Sequence, residues 1–337
     1  MISMIRIFGC GVSGLVCCIE LIKNGIDHEV IGHPAFYRKG CECQGIPLDM
    51  DHVFSPLKAR EGRFGLQPVL TTSRFIVSFG KTKKEFHTEI DLYIRGNHKD
   101  SVDNQLLEMY KELGGRITKK RFGLNDIEGE TIVAADGYRS VICERFEVNK
   151  ANRIGGAIIC IAKGNFDTDI SFIMFDKKIS GHGYSYILPH SKKEATVAVC
   201  LPDPTNLPER LEMFKKTAKE QFDIKSFSSP HSGFEKLVKN PVPYIKKGNQ
   251  EIYFIGDAAS TNEPLAGFGI LNAIASGQFC AFSIIKNNPD MYKEKFKEIQ
   301  NKNKRNMMIR RIFEKAGINY VTEKFLFRTL NKNSAGL

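Results

Sequence analysis

A strand, a glycine turn and a helix at the start of the chain constrain its fold most strongly. Residues 5–26 read IRIFGCGVSGLVCCIELIKNGI, in which Gly9, Gly11 and Gly14 follow the spacing G-x-G-x-x-G. The apolar run before the glycines is typical of a buried strand, and the residues after them are typical of a helix. Because residues 27–32 then predict a second strand, the unit indicates a βαβ arrangement in an α/β fold.

The glycine spacing predicts a dinucleotide site. In such a site Gly9 permits the tight turn, Gly11 lets the backbone approach a pyrophosphate, and Gly14 lets helix and strand pack closely. Val12 and Ser13 begin the helix, so its partially positive N-terminus would face the phosphates. A tight turn that binds no ligand is the alternative interpretation, because glycines are common.

The acidic residue that usually follows the second strand is missing from its expected place. In dinucleotide-binding folds this residue binds the ribose hydroxyls about 20 residues after the glycines, but Gly32 and His33 stand here. Glu29 lies inside the predicted strand, and we expect it to point elsewhere. Arg38 or Lys39 could instead reach a phosphate, so Arg38 is counted among the candidate cofactor-binding residues.

Composition and charge narrow the class of protein. The chain has 337 residues, 42% of them hydrophobic, which is enough for a large core, and no apolar run reaches the ~18–20 residues of a membrane-spanning helix. Nine scattered cysteines without zinc-site spacing lead us to expect a reduced, cytoplasmic protein with no metal site. The net charge of +11 fits an anionic membrane surface, an acidic ligand or simply a lysine-rich composition. Since no nucleic-acid-binding motif is present, we expect no nucleic-acid partner.

Two later segments repeat the pattern of an apolar strand that runs into a glycine turn. Residues 131–142 read TIVAADGYRSVI, and Asp136 and Gly137 form the turn. Residues 251–277 read EIYFIGDAASTNEPLAGFGILNAIASG, in which a glycine-rich turn leads into a helix with small residues. The candidate cofactor-binding residues of this second segment are Gly256, Asp257, Pro264, Gly267, Gly269, Ile270 and Leu271.

In this order, the three motifs resemble those of FAD-dependent oxidoreductases with the p-hydroxybenzoate hydroxylase fold. That group includes aromatic-ring monooxygenases and the geranylgeranyl reductases. The resemblance implies FAD as the cofactor, with Asp257 accepting hydrogen bonds from the ribityl hydroxyls and Asp136 shaping a turn beside it. It also implies that the helix after Gly269 directs its free N–H groups towards flavin O2. Residues 99–115 resemble the helix that begins R-x-x-x-D-x-x-L in this fold, with Lys99 where arginine is usual.

The middle of the chain predicts the wall of a substrate pocket. Residues 151–245 contain several strand-like segments, which favour an antiparallel sheet. Within them, Tyr184-x-Tyr186-x-Leu188-Pro189 is similar to the Y-x-W-x-F-P motif of geranylgeranyl reductases. The resemblance implies that these four residues contact the substrate, and a core strand that ends at a proline is the alternative.

Four residues are candidate catalytic residues near the flavin ring: Cys41, Cys43, Tyr184 and Tyr186. Geranylgeranyl reductases resemble one another through a cysteine beside a glycine-rich turn in this region, although neither cysteine here has the C-G-x-G spacing. A reactive thiol needs a partly exposed, electropositive setting, which Arg38 could help to supply. A buried, unreactive cysteine is the alternative for both positions.

The predicted fold class is α/β, with a Rossmann-like FAD-binding domain of the p-hydroxybenzoate hydroxylase type, an antiparallel-sheet substrate domain and C-terminal helices. We expect the FAD-binding domain to comprise residues 1–150 and 241–288, with residues 50–90 contributing to the substrate side. The substrate domain is expected over residues 151–240 and the C-terminal helices over residues 289–337.

The resemblance implies an FAD-dependent oxidoreductase that reduces prenyl C=C bonds of a geranylgeranyl-type isoprenoid lipid by hydride transfer from reduced FAD. An FAD-dependent monooxygenase acting on an aromatic or polyprenyl ring is the alternative, and a non-catalytic flavin- or lipid-binding protein is a third interpretation. NAD(P)H or a ferredoxin-like protein could be the reductant, and the oligomeric state stays open. The basic and apolar tail could cap an apolar pocket or lie on the inner face of an anionic membrane, besides forming ordinary amphipathic helices.

Overall fold

Two β-sheets and the helices that pack on them make up the described part of the chain. The computed structural model describes residues 4–34, 41–47, 64–79 and 82–316. Several residues and segments named above lie outside these ranges: Arg38, Lys39, residues 50–63 and the tail from 317 to 337. Of Cys41, only the backbone is described.

The described residues form fifteen strands, seven α-helices and two short 3₁₀ helices. In chain order the strands are β1 (Ile5–Phe8), β2 (His28–Ile31), β3 (Cys41–Pro47), β4 (Leu70–Phe79), β5 (Thr82–Gly96), β6 (Ile117–Thr118), β7 (Thr131–Ala134), β8 (Arg153–Asn165), β9 (Ile170–Phe175), β10 (Tyr184–Pro189), β11 (Glu194–Leu201), β12 (Asp223–Phe227), β13 (His231–Leu237), β14 (Tyr244–Lys247) and β15 (Gln250–Phe254). The helices are α1 (Val12–Lys23), α2 (Val102–Glu112), α3 (Val141–Arg145), α4 (Lys177–Ser180), α5 (Leu207–Gln221), α6 (Ile270–Ile285) and α7 (Pro289–Ala316). The 3₁₀ helices are Leu124–Asp126 and Gly256–Ala259.

The first sheet contains the glycine-turn motif and has the strand order β14-β15-β7-β1-β2-β6. All its neighbours pair in parallel except β14 and β15. Ile5 of β1 lies beside His28 on one side and Thr131 on the other. A parallel strand between two others is buried on both faces, which explains why all of β7 is buried and why β1 is buried except at Arg6. The βαβ arrangement predicted from the glycine motif is confirmed.

Helices α1 and α6 approach this sheet and each other closely because their contact points are small. A Cβ atom on Gly14 of α1 would lie 2.2 Å from the carbonyl oxygen of Gly9, at the end of β1. A Cβ atom on Gly277 of α6 would lie 2.5 Å from the carbonyl oxygen of Ser13. Each helix follows a strand of the parallel sheet, so both N-termini lie at the carboxyl edge, where α/β folds bind ligands.

The second sheet has nine strands in the order β12-β8-β11-β10-β9-β4-β5-β3, with β13 also paired to β8. It is antiparallel except where β4 pairs with β9. Successive side chains of a strand point to opposite faces. Ile187 of β10 therefore packs with α5 on one face, whereas Tyr186 and Leu188 pack with Ile159 on the other. The antiparallel sheet and the α/β class predicted from the sequence are confirmed.

The two sheets draw on separate parts of the chain. The first takes its strands from residues 5–31, 117–134 and 244–254, and the second takes them from residues 41–96 and 153–237. The predicted domain boundaries stay predictions. Among the helices that the structure describes, including the 28-residue α7, none combines the length and apolar character needed to cross a membrane.

Candidate active site

A cleft of about 570 Å³ lies between the two sheets, and its two ends differ in chemistry. Arg95 and Ile90 both line the cleft from β5, and at 3.4 Å per residue they lie about 17 Å apart along the strand. The polar end is lined by Gly11, Ser13, Arg95, Gly137, Gly256 and Asp257. The apolar end is lined by Phe75, Val77, Ile90, Ile159, Ile173, Phe175, Tyr184, Tyr186 and Leu188.

The glycine turn at the polar end uses its three glycines differently. Gly9 has a φ of +107°, and a Cβ atom on it would lie 2.3 Å from the carbonyl oxygen of Ala135, so only glycine fits this turn. Gly14 provides the close contact with Gly9 described above. Gly11 lines the cleft, and a Cβ atom on it would meet nothing within 4 Å. The turn therefore exposes its backbone to open space at Gly11.

Two helix N-termini reach the polar end without a side-chain cap. Gly11 precedes α1 and Gly269 precedes α6, and neither helix has an acidic residue in its first turn. The N–H groups of a first helical turn lack partners within the helix and carry a partial positive charge. The amides of Val12 and Ser13, and those of Ile270 and Leu271, are therefore available to an anionic or electron-rich ligand. Ile270 and Leu271 contribute through the backbone, because their side chains are buried in the core.

Arg95 provides the cation of the polar end. Its Nε donates to Asp103 Oδ2 at 2.8 Å and its Nη2 donates to Asp103 Oδ1 at 3.0 Å. The Gly96 amide also donates to Asp103 at 2.8 Å. Burial lowers the pKa of the Arg95 guanidinium, but nearby carboxylates, above all Asp103, outweigh this effect and raise it. The guanidinium stays charged, and a two-point ion pair fixes its plane.

Lys99 does not reach the cleft. Its side chain is 86% exposed and its Nζ lies 4.0 Å from the carboxylate of Asp100. Lys99 comes after the end of β5 and before α2, whereas Arg95 lies within β5 with its side chain on the cleft side. The structure therefore brings Arg95, rather than the predicted Lys99, to the polar end.

Two aspartates follow strands of the first sheet at this end. Asp136 Oδ2 accepts from the amide of Val141 at 2.8 Å, which holds the start of α3, and burial raises the pKa of Asp136. Gly137 lines the cleft, with no atom within 4 Å of a Cβ placed on it. The carboxylate of Asp257 faces the cleft and makes no hydrogen bond or ion pair with the residues that the structure describes. Asp257 can therefore accept hydrogen bonds from a ligand.

The loop before α6 is held from within by Glu263, which is fully buried. Its carboxylate accepts from the amides of Leu265 and Ala266, both at 2.7 Å. It also accepts from Asn306 Nδ2 of α7 at 2.7 Å. Arg310, one turn further along α7, donates to the carbonyl oxygen of Pro264. Pro264 thus belongs to the frame of the loop, and the loop presents Gly267 and Gly269 to the cleft.

Tyr184 and Tyr186 lie side by side at the apolar end, with ring centroids 6.1 Å apart. Tyr184 donates its hydroxyl hydrogen to the carbonyl oxygen of Ala266, and Tyr186 donates to that of Cys43 at 3.0 Å. Burial raises the pKa values of both phenols well above their usual range. The two hydroxyls therefore tie β10 to the loop before α6 and to β3. Their predicted catalytic role stays a prediction.

The other predicted substrate and catalytic residues divide by strand face. Leu188 lines the cleft beside the tyrosines, but Pro189 lies on the opposite face of β10 and borders a separate cavity. The alternation of side chains along the strand explains this difference. Cys43 is buried and lines the cleft. Its neighbour Cys41 is paired through its backbone with Gly96, and its side chain lies outside the described part of the structure.

The polar end fits FAD. Open space at Gly11 and Gly137 leaves room for a pyrophosphate against the backbone. Uncapped amides of α1 and α6 can hold the phosphates and an electron-rich ring edge, and the carboxylate of Asp257 can hold hydroxyl groups. Glu29, by contrast, is engaged by Arg6 at 3.0 Å, so it is not the missing ribose ligand.

No protein-family model matches the chain, but curated proteins do. The digeranylgeranylglycerophospholipid reductase of Methanosphaerula palustris is 25% identical over 163 residues, which are 46% of this chain and 40% of that protein. An uncharacterized protein of Methanocaldococcus jannaschii is 26% identical over 219 residues, which are 61% of this chain and 53% of that protein. The chain spans about half the length of these curated relatives.

Solved structures match a larger share of the chain. A geranylgeranyl bacteriochlorophyll reductase-like protein from Thermoplasma acidophilum covers 93% of it with a TM-score of 0.71 and 17% identity, over 87% of its own chain. An oxygenase, 2-methyl-3-hydroxypyridine-5-carboxylic acid oxygenase, covers 94% with a TM-score of 0.63 and 15% identity, over 92% of its own chain. The flavin-dependent halogenase CmlS covers 91% with a TM-score of 0.61 and 15% identity, over 62% of its own chain.

The chain is similar in sequence to a digeranylgeranylglycerophospholipid reductase and has the fold of FAD-dependent oxidoreductases. The family resemblance and the fold class predicted from the sequence are thereby confirmed. The likeness to oxygenases and halogenases extends to the fold, which FAD enzymes of different activities share.

Sequence reasoning missed four residues of this candidate site: Arg95, Glu235, Glu263 and Arg310. Arg95 sits inside a strand, and Arg310 comes from a helix that ends far along the chain from the glycine motifs. Glu235 comes from β13, where it stands opposite Gly155 of β8. Of the four, only Glu263 could have been suspected from the sequence, because it lies inside the motif TNEPLAGFG. The other three depend on contacts between distant segments.

Proposed function

We propose that the protein is an FAD-dependent reductase of prenyl C=C bonds in a geranylgeranyl-type isoprenoid lipid. One observation carries this proposal: the polar end that fits FAD opens directly into an apolar end lined by aliphatic and aromatic side chains. A long hydrocarbon chain has no polar groups to recognise, so an apolar wall of this kind is what it requires. The sequence relative whose name gives it a digeranylgeranyl lipid as substrate supports the same choice.

When bound and reduced, FAD supplies the hydride for such a reaction. The chain's own residues hold and orient the reactants. The amides of α1 and α6 bind the cofactor, Arg95 adds a fixed positive charge, and Asp257 accepts from its hydroxyl groups. Phe75, Ile173 and the two tyrosines exclude water from the prenyl chain, which strengthens electrostatic interactions in the cleft.

The electrons are proposed to come from an external donor, either NAD(P)H or a ferredoxin-like protein. Each round of reduction consumes one hydride equivalent, so the donor must return two electrons to the flavin. Mixing the oxidised protein with NADPH, NADH or reduced ferredoxin and following the loss of flavin absorbance identifies which donor it accepts.

We also propose a peripheral contact with an anionic membrane. The second half of α7 exposes Met308 and Ile312, at 64% and 53%, one helical turn apart. Exposed cations lie beside them at Lys304, Arg305 and Arg311. Apolar side chains flanked by cations suit the headgroup region of anionic bilayers. Co-sedimentation with vesicles of anionic lipid, compared with vesicles of neutral lipid, tests this contact.

The reaction itself is tested without oxygen. The FAD-loaded protein is reduced anaerobically and mixed with a geranylgeranyl lipid, and the flavin absorbance and the product mass are followed. The proposal expects the lipid to reoxidise the flavin and to gain two hydrogens for each reduced bond. A flavin that reoxidises only when oxygen and a ring substrate are both present would instead identify a monooxygenase, the activity that an oxygenase of the same fold carries.

A further inference from the structure

Glu235 holds a carboxyl group where the two ends of the cleft meet. It lies on β13 directly opposite Gly155 of β8, and a Cβ atom on Gly155 would lie 2.7 Å from its Oε1. On its other side, a Cβ atom on Gly267 would lie 3.6 Å from its Oε2. Two glycines therefore make the space that this carboxyl group occupies. Gly267 belongs to the loop before α6 at the polar end, and the adjacent Ala266 binds Tyr184 of the apolar end.

The carboxyl group of Glu235 is unengaged. It is half-buried and lines the cleft, and it makes no hydrogen bond or ion pair within the described ranges of the chain. A carboxyl group in such a setting loses much of its hydration without gaining a partner. It is therefore available to a substrate, in contrast to Glu263, whose oxygens already accept from two loop amides and from Asn306.

The charges around Glu235 favour its protonated form near neutral pH. The pKa of Glu235 is raised to about 7: burial raises it most, Arg310 lowers it, and the carboxylates of Glu263 and Asp257 raise it further. An acid that is half protonated near neutral pH is suited to donate protons and to be recharged. The ionisable groups that face it from the packed elements are Arg310 of α7, Glu263 of the loop before α6, Asp257 after β15, Tyr184 of β10 and Cys200 of β11.

The proposed reduction needs such a donor, because hydride addition to an isolated double bond supplies only one of the two hydrogens. We propose that Glu235 is the general acid that protonates the prenyl double bond in this cleft, a role that rests on the function proposed above. The π electron pair forms the new C–H bond with the Glu235 proton, and the hydride from reduced FAD completes the other C–H bond. Glu235 is left as a carboxylate that regains its proton from water.

The other hydroxyl and carboxyl groups near the apolar end are less suited to this step. The hydroxyl hydrogens of Tyr184 and Tyr186 are already donated to backbone carbonyls, and burial raises the pKa values of both phenols well above their usual range. Glu263 is fully buried beneath its loop. Glu235, by contrast, lines the cleft where its two ends meet, and its pKa of about 7 lets it carry a proton near neutral pH.

The first test compares Glu235→Gln, which keeps the shape but has no acidic proton, with the wild-type holoenzyme. General acid catalysis contributes about 10²–10⁴-fold, so the lipid should reoxidise anaerobically reduced Glu235→Gln slower by about that factor, with an unchanged flavin spectrum and FAD affinity. Glu235→Asp should recover part of the rate. Glu220→Gln, an exposed glutamate on α5, is the matched control and should react as the wild type does.

The rate at which the lipid reoxidises the flavin should fall as the pH rises through the pKa of Glu235. Because the acid form is required, the wild-type rate should be constant below about pH 7 and fall above it, as Glu235 ionises. In the Glu235→Gln variant the rate should not fall in this way.

The infrared carbonyl band of protonated carboxylic acids gives a readout that does not depend on turnover. Glu263, whose pKa burial also raises to about 7, contributes to the component that disappears near pH 7, so this component should lose the share of one carboxyl group in Glu235→Gln and stay complete in Glu220→Gln.

Two results would overturn the proposal, and they are distinguishable. If the lipid reoxidises the wild type and Glu235→Gln equally fast, or if the infrared component stays complete in Glu235→Gln, the role of Glu235 is wrong while the proposed reaction stands. If no prenyl lipid reoxidises the wild-type flavin, the proposed reaction fails, and the role of Glu235 fails with it.

Discussion

The polar and apolar ends of the cleft differ in whether backbone or side-chain groups line them. The polar end consists mainly of backbone: a glycine turn, two uncapped helix N-termini and a loop folded around a buried glutamate. The apolar end consists of side chains from five strands of one sheet, including Phe75, Ile90 and Tyr186. Backbone recognises phosphates and ring edges in the same way in many proteins, whereas a wall of side chains can be reshaped by substitution. The comparison explains how one fold carries different activities while keeping one cofactor.

The largest effect is expected at Asp103. The polar end consists mainly of backbone, but the position of its Arg95 guanidinium depends on the ion pair with Asp103. Asp103→Ala removes the partner of Arg95, whose side chain is 17% exposed. Leaving one member of a largely buried pair unpaired costs about 3–5 kcal/mol. We expect the free energy of unfolding, measured by urea denaturation, to fall by about this amount. A loss below about 1 kcal/mol would show that Arg95 is held by other contacts.

A substitution at Gly11 tests whether the backbone of the polar end binds FAD. Its backbone is extended (φ −81°, ψ −170°) and a Cβ atom there meets nothing, so Gly11→Val should fold normally and fill the cofactor's space. We expect the Kd for FAD, measured by fluorescence titration, to rise at least about 100-fold, which is about 2.7 kcal/mol.

The matched control for Gly11→Val is Gly123→Val. Gly123 is also extended, with a φ of −122°, but it is exposed and lies outside the cleft. Its substitution should leave the Kd for FAD unchanged. Equal FAD affinity of Gly11→Val and the wild type would mean that the pyrophosphate does not approach this turn.

Tyr186→Phe tests whether a change at the apolar end leaves the polar end unaffected. It removes one hydroxyl and keeps the ring. The lost hydrogen bond to the carbonyl oxygen of Cys43 should lower the free energy of unfolding by about 1 kcal/mol. FAD affinity should not change, since the hydroxyl ties β10 to β3 rather than contacting the polar end. A changed FAD affinity with unchanged stability would contradict this assignment.

The smallest effect is expected at Lys99, which the family resemblance suggested as a flavin contact. Because its side chain is exposed and points to Asp100, Lys99→Ala should change both stability and the binding free energy of FAD by less than about 0.5 kcal/mol. Calorimetric titration with FAD measures this directly. An affinity loss of tenfold or more would restore Lys99 to the cofactor site.

The same contrast explains what the sequence could predict. The βαβ unit and the turns at Gly9, Asp136 and Gly256 are local, since strand, turn and helix follow one another within about 20 residues. For this reason the predicted strands before these turns are all present, as β1, β7 and β15 of the first sheet. Tyr184 and Tyr186 could also be assigned to one strand face from the period of two.

Residues brought together from distant segments could not be predicted in this way. Glu235 reaches the cleft because β13 pairs with β8 in a register that places Gly155 opposite it. Arg310 reaches it because α7 packs back over the loop before α6. Register and helix docking are decided by burial across the whole molecule, and no short motif records them. Lys99 shows the converse, since a matching motif position did not bring its side chain to the cleft.

The central claim is that one cleft holds FAD at its polar end and a prenyl chain at its apolar end. A crystal structure of the FAD-loaded protein with a geranylgeranyl lipid tests it most directly. The account predicts the pyrophosphate beside Gly11 and the lipid chain against Ile173 and the two tyrosines, with a double bond next to Glu235. A lipid bound elsewhere, or FAD seated away from the glycine turn, would contradict it.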